Sequence, residues 1–208
     1  MAGIIEVKDQ GKLRIYDADN SNYIDIVVPS TVSSNRTITL PDASFTVPQA
    51  DTVGGITVAD FWRITADFST SGGDITANWE RVDTDGYGTL GSAMTESSGI
   101  FSFPSTGIYL ISARVFTGAT NDALSYIGLD IQTTTDNSSY SEAASSFSSA
   151  GSQNHHASIN VDFIFDVTNT TTHKCKLFTD VVSSNTADFA GNSSATRSGI
   201  YFIRLGDT

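Results

Sequence analysis

Three histidines and a single cysteine offer the widest range of chemistry in this sequence, and they fall into two small groups. His155 and His156 are adjacent, and His173 stands two residues before Cys175. Adjacent residues of an extended chain point to opposite faces, so the first pair does not chelate one ion within a chain. His173 and Cys175 can share a face, but two ligands do not complete a tetrahedral site. We predict no metal site and no cofactor.

Acidic residues cluster in two turns. The run from Asp17 to Asp25 has carboxylates spaced as in a calcium loop, and Asp83 and Asp85 precede Gly86. The first run lacks glycine at its sixth position and glutamate at its twelfth, which excludes an EF-hand. We predict that both are turns capped by their own polar side chains.

The sequence contains no arrangement typical of catalysis. Serines are abundant, but no G-x-S-x-G elbow and no glycine-rich phosphate loop is present. A glycosidase would need two converging carboxylates, and nothing in the sequence brings Asp83, Asp85 and Glu142 together. We predict that the protein is not an enzyme.

Charge and composition limit the partners. The 208-residue chain carries 23 acidic and 11 basic residues, for a net charge of −12. No basic stripe is present to bind nucleic acid, and the charge opposes docking on an anionic membrane. No stretch is long enough to insert into a membrane, and the first residues lack a signal-peptide pattern. We expect synthesis in a host cytoplasm without secretion, and one cysteine allows no internal disulfide.

Apolar and polar residues alternate along much of the chain after residue 56, as in strands with one buried face. The clearest run, 159–167, and the closing run, 199–206, both alternate, and turn residues separate such runs. The stretch 132–158 is rich in serine; we expect a long loop there, since serine argues against a helix around 141–146. This pattern predicts a two-sheet sandwich. The residues that we place in its core are Trp62, Phe101, Phe103, Tyr109, Phe163 and Phe165.

The stretch 99–115 joins a strand end, a corner and a long strand. Phe101 and Phe103 fall on one face, Pro104 removes a backbone donor, and Gly107 permits a turn before Tyr109. The motif G-x-F-x-x-P-x-x-G-x-Y closely resembles the central motif of the trimeric jelly rolls shared by the complement globular head and tumour necrosis factor. This resemblance implies an all-β, homotrimeric jelly roll over residues 60–208.

We predict that residues 1–48 form a separate β-strand segment and that residues 49–59 form a linker with paired glycines. Short apolar runs at 12–16, 23–28, 36–40 and 45–47 alternate with turn residues. They are too few to bury a core alone. The phrases at 13–23 and 29–41 resemble modules of bacteriophage tail fibres, which implies strands wrapped around a threefold axis and attached to a particle.

Some strands with a full inward face carry further apolar residues on the other face. Burying one such side chain is worth about 1.5–3 kcal/mol, and an exposed patch of them usually marks an interface. Phe202 belongs to this set if Tyr201, Ile203 and Leu205 point inward. The residues that we predict at the trimer interface are Leu110, Phe116, Ile164 and Phe202.

Together these features predict a structural virion protein of a bacteriophage, located in the virion. It would be a homotrimeric tail fibre or short appendage that docks on other virion structural proteins and binds a host-surface glycan or protein. Tyr140, His155 and His156 are the candidate ligand-binding residues. A capsid decoration, cement or head-fibre protein that stabilises the shell is the alternative, favoured by the short chain, and a bacterial lectin-like module is the third.

Overall fold

The computed structural model describes residues 13–27, 33, 34, 37, 39, 42, 44, 55–119, 123–182 and 185–208. The chain divides into two compact units, Met1–Gln49 and Ala50–Thr208. Every regular element within the described ranges is a β-strand, as the sequence predicts. A search of the same residues finds no helix long and apolar enough to cross a membrane.

In the first unit, β1 (Leu13–Tyr16) and β2 (Tyr23–Ile26) form an antiparallel hairpin. Its turn is capped as predicted, because an oxygen of Asp17 accepts the N–H of Asn22 at 3.1 Å. Arg14 makes two hydrogen bonds to Asp25, of 2.7 and 2.9 Å, across the hairpin. The other two predicted strands, at 36–40 and 45–47, lie outside the described residues except for residues 37 and 39.

The second unit consists of two antiparallel sheets and short connections. Its strands are β3 (Ala59–Ile64), β4 (Phe68–Thr70), β5 (Gly73–Asp74), β6 (Trp79–Arg81), β7 (Thr95–Ser97), β8 (Ile100–Ser102), β9 (Gly107–Ala119), β10 (Leu124–Thr134), β11 (Ser141–Ala150), β12 (His156–Val167), β13 (Lys174–Val181), β14 (Ala187–Phe189) and β15 (Gly199–Gly206).

The long strand β9 organises the larger sheet. Strand β12 pairs along one edge of β9, whereas β15 and β14 pair with successive parts of the other edge. Beyond β15 lie β3 and then β6, and beyond β14 lies β4. The smaller sheet has the order β11-β10-β13-β8-β7, with β5 beside β13.

Aromatic rings fill the core. Phe101 is fully buried, and its ring centroid lies 5.1 Å from that of Trp79 and 5.7 Å from that of Trp62. Phe103 packs edge-on against Tyr109 at 4.8 Å. Of the six residues expected in the core, four are buried and two, Trp62 and Phe163, are partly buried against it.

The corner before β9 has the geometry that its motif indicates. The Tyr109 hydroxyl donates to the Ser105 carbonyl at 3.1 Å and so fixes the turn after Pro104. Gly107 has a φ of +145°, and a Cβ there would overlap the Arg204 side chain and the Gly206 carbonyl. The corner therefore packs closely against β15.

The second acidic turn is held differently from the prediction. Asp83 accepts a hydrogen bond of 2.6 Å from Arg63, which is 1% exposed and also bonds Glu80 at 2.9 Å. The two carboxylates pair with the buried Arg63 guanidinium. Without them, an unpaired charge at this depth would be strongly destabilising. Asp85 and Gly86 supply the positive φ angles of the turn.

Two expectations are wrong. The serine-rich stretch contains β11, which pairs with β10 along its length. It is an edge strand with mostly polar side chains on both faces, so it lacks the alternation that reveals a strand. Phe202 faces the core and is fully buried, 5.2 Å from Phe101, so it lies on no interface. Strand β15 is apolar on both faces, and its sequence therefore does not fix which face turns inward.

We predict that Phe101→Ala lowers the free energy of unfolding by about 3–5 kcal/mol, because it leaves a cavity among three aromatic rings. Phe147→Ala, at a strand residue that is 54% exposed, is the matched control and should cost about 1 kcal/mol or less. Denaturant unfolding at one protein concentration measures both. Equal losses would contradict this view of the core.

Candidate interaction surfaces

The outer face of the larger sheet carries a continuous band of apolar side chains. Leu110 on β9 lies opposite Ile164 on β12 and Ile203 on β15. In the neighbouring part of the sheet, Tyr201 lies opposite Phe61 on β3, with ring centroids 5.5 Å apart. We call these five residues the apolar band. Ile164 is 60% exposed, which leaves part of the band open to solvent.

Charged groups of both signs border the apolar band. Asp162 and Asp166 flank Ile164 on the exposed face of β12. The guanidinium of Arg114 lies 5.6 Å from the centre of the Phe61 ring and donates to the Thr196 carbonyl at 3.1 Å. The surface thus has an apolar centre and a polar border, which is the pattern of protein–protein interfaces.

The predicted interface residues fall in three places. Leu110 and Ile164 lie side by side in the apolar band. Phe116 lies six residues further along β9, about 20 Å away. Phe202 is in the core, and Tyr201 and Ile203 occupy the outward positions of its strand instead.

A cavity of about 420 Å³ opens at one end of the larger sheet, and we call it the end cavity. Strands β4, β14, β9 and β12 lie side by side there. One cross-strand row of the sheet lies along it and consists of Ser69, Asp188, Gly118 and His156. Gly118 contributes no side chain, and the His156 imidazole packs over it, because a Cβ at residue 118 would lie 2.8 Å from Nδ1 of that ring.

Side chains on both sides of Gly118 are fixed by contacts. The rings of Phe116 and His156 stack, with centroids 5.0 Å apart and 27° between their planes. The Ser69 hydroxyl donates a short hydrogen bond to Asp188. Arg197, from the loop before β15, also lines the cavity. Only Gly118, a glycine inside a strand, signals such a site in the sequence, because the strands carrying Ser69 and Asp188 are three residues long.

The structure separates the three predicted ligand-binding residues. His156 lines the end cavity, whereas His155 is exposed beside it and is not part of its lining. Tyr140 precedes β11, and Gly151 follows the end of that strand, so the length of β11, about 33 Å, lies between Tyr140 and the turn toward the histidines. These residues therefore do not form one site.

The smaller sheet and the connection before β11 contain two buried oxygen atoms without hydrogen-bond partners among the described residues, one on Asp130 and one on Tyr140. Asp130 is 5% exposed. Burial, together with the nearby carboxylates of Glu142 and Asp180, raises the pKa of Asp130 to about 6. Burial also raises the pKa of Tyr140. An ionised Asp130 is thus unfavourable in this sheet.

The histidine–cysteine pair is part of the core. Each ring nitrogen of His173 is 3.1 Å from a threonine hydroxyl, of Thr168 or Thr172, and the ring stacks on Phe165. Cys175 is fully buried, and burial raises the pKa of its thiol. Among the residues that the structure describes, no three His, Cys, Asp or Glu side chains are grouped to hold a metal ion.

Comparisons with known proteins concern the fold. No protein-family profile matches the sequence, and no curated protein matches it. Among solved structures, murine APRIL at pH 5.0 is similar with a TM-score of 0.52 and 13% identity, over 71% of this chain and 98% of APRIL. Eiger TNF from S. frugiperda is similar with a TM-score of 0.54 and 13% identity, over 74% of this chain and 96% of Eiger.

This chain contains a tumour-necrosis-factor-like jelly roll. The similarity confirms the fold that the corner motif indicates. In this jelly roll the apolar band lies on the outer face of the sheet formed by β12, β9, β15 and β3, and the end cavity lies where β14 and β4 extend the same sheet.

We predict that the wild-type chain loses stability relative to Asp130→Asn as pH rises from about 4 to 7. Between its ordinary pKa of 3.8 and the raised value of about 6, the folded state holds a proton that the unfolded state has released. The free energy of unfolding therefore falls through this window, by about 1–3 kcal/mol. Urea unfolding at several pH values measures the difference.

Asp136→Asn is the matched control. Backbone hydrogen bonds from Ser138 and Ser139 lower the pKa of Asp136, so this carboxylate is ionised in both states above about pH 5. The difference in free energy of unfolding between Asp136→Asn and the wild type should be nearly constant between pH 5 and 7. The prediction is contradicted if the difference for Asp130→Asn is also constant over this range.

Proposed function

We propose that the protein is a homotrimeric structural protein of a bacteriophage particle, a tail fibre or short appendage. Its first unit docks on other virion proteins, and its jelly roll binds a host-surface glycan or protein. The observation that carries this proposal is the apolar band, which a single chain leaves partly in water.

Assembly through the apolar band follows from its energetics. Burying one exposed side chain such as Ile164 is worth about 1.5–3 kcal/mol. A closed ring of copies covers the same face on every chain and leaves no further face to extend the assembly. Three copies are the number implied by the family that the corner motif resembles.

The first unit also supports assembly with other chains. Ile24 is 70% exposed, and Leu13, Ile15 and Ile26 are each more than half exposed. A two-stranded hairpin is at best marginally stable alone in water. We therefore assign the first unit to docking. Its placement on a bacteriophage rests on the resemblance of residues 11–48 to tail-fibre modules.

We predict that Ile164→Asp dissociates the trimer, because it places a charge in the apolar band that the trimer would bury. Light scattering of the full chain should give three times the chain mass for the wild type and the chain mass for the variant. Phe147→Asp, on the outer face of the smaller sheet, is the control and should remain trimeric. A wild-type monomer, or a trimeric Ile164→Asp variant, would contradict the assignment.

Immunogold microscopy of particles tests the location. Labelling of the tail and blocked adsorption by the purified trimer would support the appendage. Labelling of the head, with normal adsorption but leaking genomes in particles that lack the protein, would indicate the capsid decoration protein instead. Absence from particles would leave the lectin-like module.

A further inference from the structure

We propose that the end cavity binds a neutral oligosaccharide. The inference rests on the proposed host-binding role of the jelly roll, and it names the ligand class and the site. It follows from an aromatic wall, from polar groups of opposite character that line the cavity, and from a second depression that continues it.

The aromatic wall consists of Phe116 and His156. Their rings stack at 5.0 Å, and Phe116 is 38% exposed at the cavity. The face of an aromatic ring carries partial negative charge, which attracts the polarised C–H groups on one face of a sugar ring. The wall therefore fits a flat ligand that is apolar on one face and polar at its edges.

Hydrogen-bond donors and acceptors line the end cavity. Asp188 accepts a hydrogen bond from Ser69 with one oxygen, and a carboxylate has further lone pairs for ligand hydroxyls. Arg197 supplies several N–H donors and no acceptor. Sugar hydroxyls both donate and accept, so one neutral ligand satisfies both groups.

The charges of the cavity disfavour strongly ionic ligands. Asp67 lines it together with Asp188 and has one oxygen fixed by the N–H of Gly191 at 2.8 Å. Two carboxylates repel sulfate, phosphate or sialic acid, and the chain's net charge of −12 acts in the same direction. Arg197 opposes a cationic ligand. A neutral saccharide meets neither penalty.

The size of the site favours more than one sugar unit. A second depression of about 460 Å³ shares Phe116 and Arg197 with the end cavity and adds Ser158 and Asn160 on β12. Each volume lies within the range of about 300–1,000 Å³ that is typical of small-ligand sites. Phe116 stands between the two depressions, where it contacts consecutive units of a chain.

The test applies the purified full-length protein to an array of neutral, sialylated and sulfated oligosaccharides. We expect binding to neutral members. His156→Ala and Asp188→Asn should each weaken it about tenfold or more, the loss expected for a ring contact or a charged hydrogen bond. His155→Ala is the matched control, since the adjacent side chain does not line the cavity, and it should bind like the wild type.

Two controls separate loss of binding from loss of folding. Asp188→Asn preserves the size of the side chain, and light scattering and unfolding curves should match the wild type for each variant. The proposal is overturned if the protein binds no neutral oligosaccharide on the array, or if it binds sulfated or sialylated members only. It is also overturned if His155→Ala and His156→Ala bind equally.

Adsorption assays distinguish this inference from the proposed function. If the array shows no binding through the cavity, while wild-type and His156→Ala protein block adsorption equally, the jelly roll contacts the host through another surface, and only the inference fails. If the protein binds neutral oligosaccharides through the cavity but is absent from particles, the virion role fails and the inference stands.

Discussion

The structure depends on the alternation of side chains along β9. Tyr109, Ile111 and Val115 point into the core, where they are almost fully buried. Because successive residues of a strand face opposite sides, Leu110 and Phe116 are forced outward. The same packing that closes the sandwich thus leaves apolar groups on its outer face. An interaction surface follows from the core without any further structural element.

The two surfaces on this sheet have different chemistry. The apolar band crosses four strands, and its row through Leu110, Ile164 and Ile203 is aliphatic, which suits burial against further copies of a similar face. At the other end of β9, the sheet is extended by β14 and β4, and polar side chains line the end cavity. About 20 Å of strand separates the two regions. The proposed assembly and the proposed ligand binding therefore use separate parts of one sheet.

The smaller sheet is made differently. Its edge strand β11 is rich in serine and alanine, and Phe147 covers Gly128 on the neighbouring strand. Asp130 lies beside this edge, and burial with two further carboxylates nearby raises its pKa to about 6. The acidic composition of the chain is thus not confined to solvated turns, because one carboxylate lies buried in a sheet.

The sequence by itself determined the sandwich, because period-two alternation and the motif from Gly99 to Tyr109 specify local geometry and a core face. It did not determine which residues of β15 face the core, since Tyr201 and Phe202 both carry large aromatic rings. Phe202 faces inward because its ring packs against Phe101 and Phe103. The sequence also did not indicate strand β11. An edge strand with mostly polar side chains on both faces lacks alternation, and only its hydrogen bonds to β10 define it. The end cavity was decided by tertiary structure alone: Ser69, Gly118, His156 and Asp188 come from four strands far apart in the chain, and only the register between those strands brings them into one row.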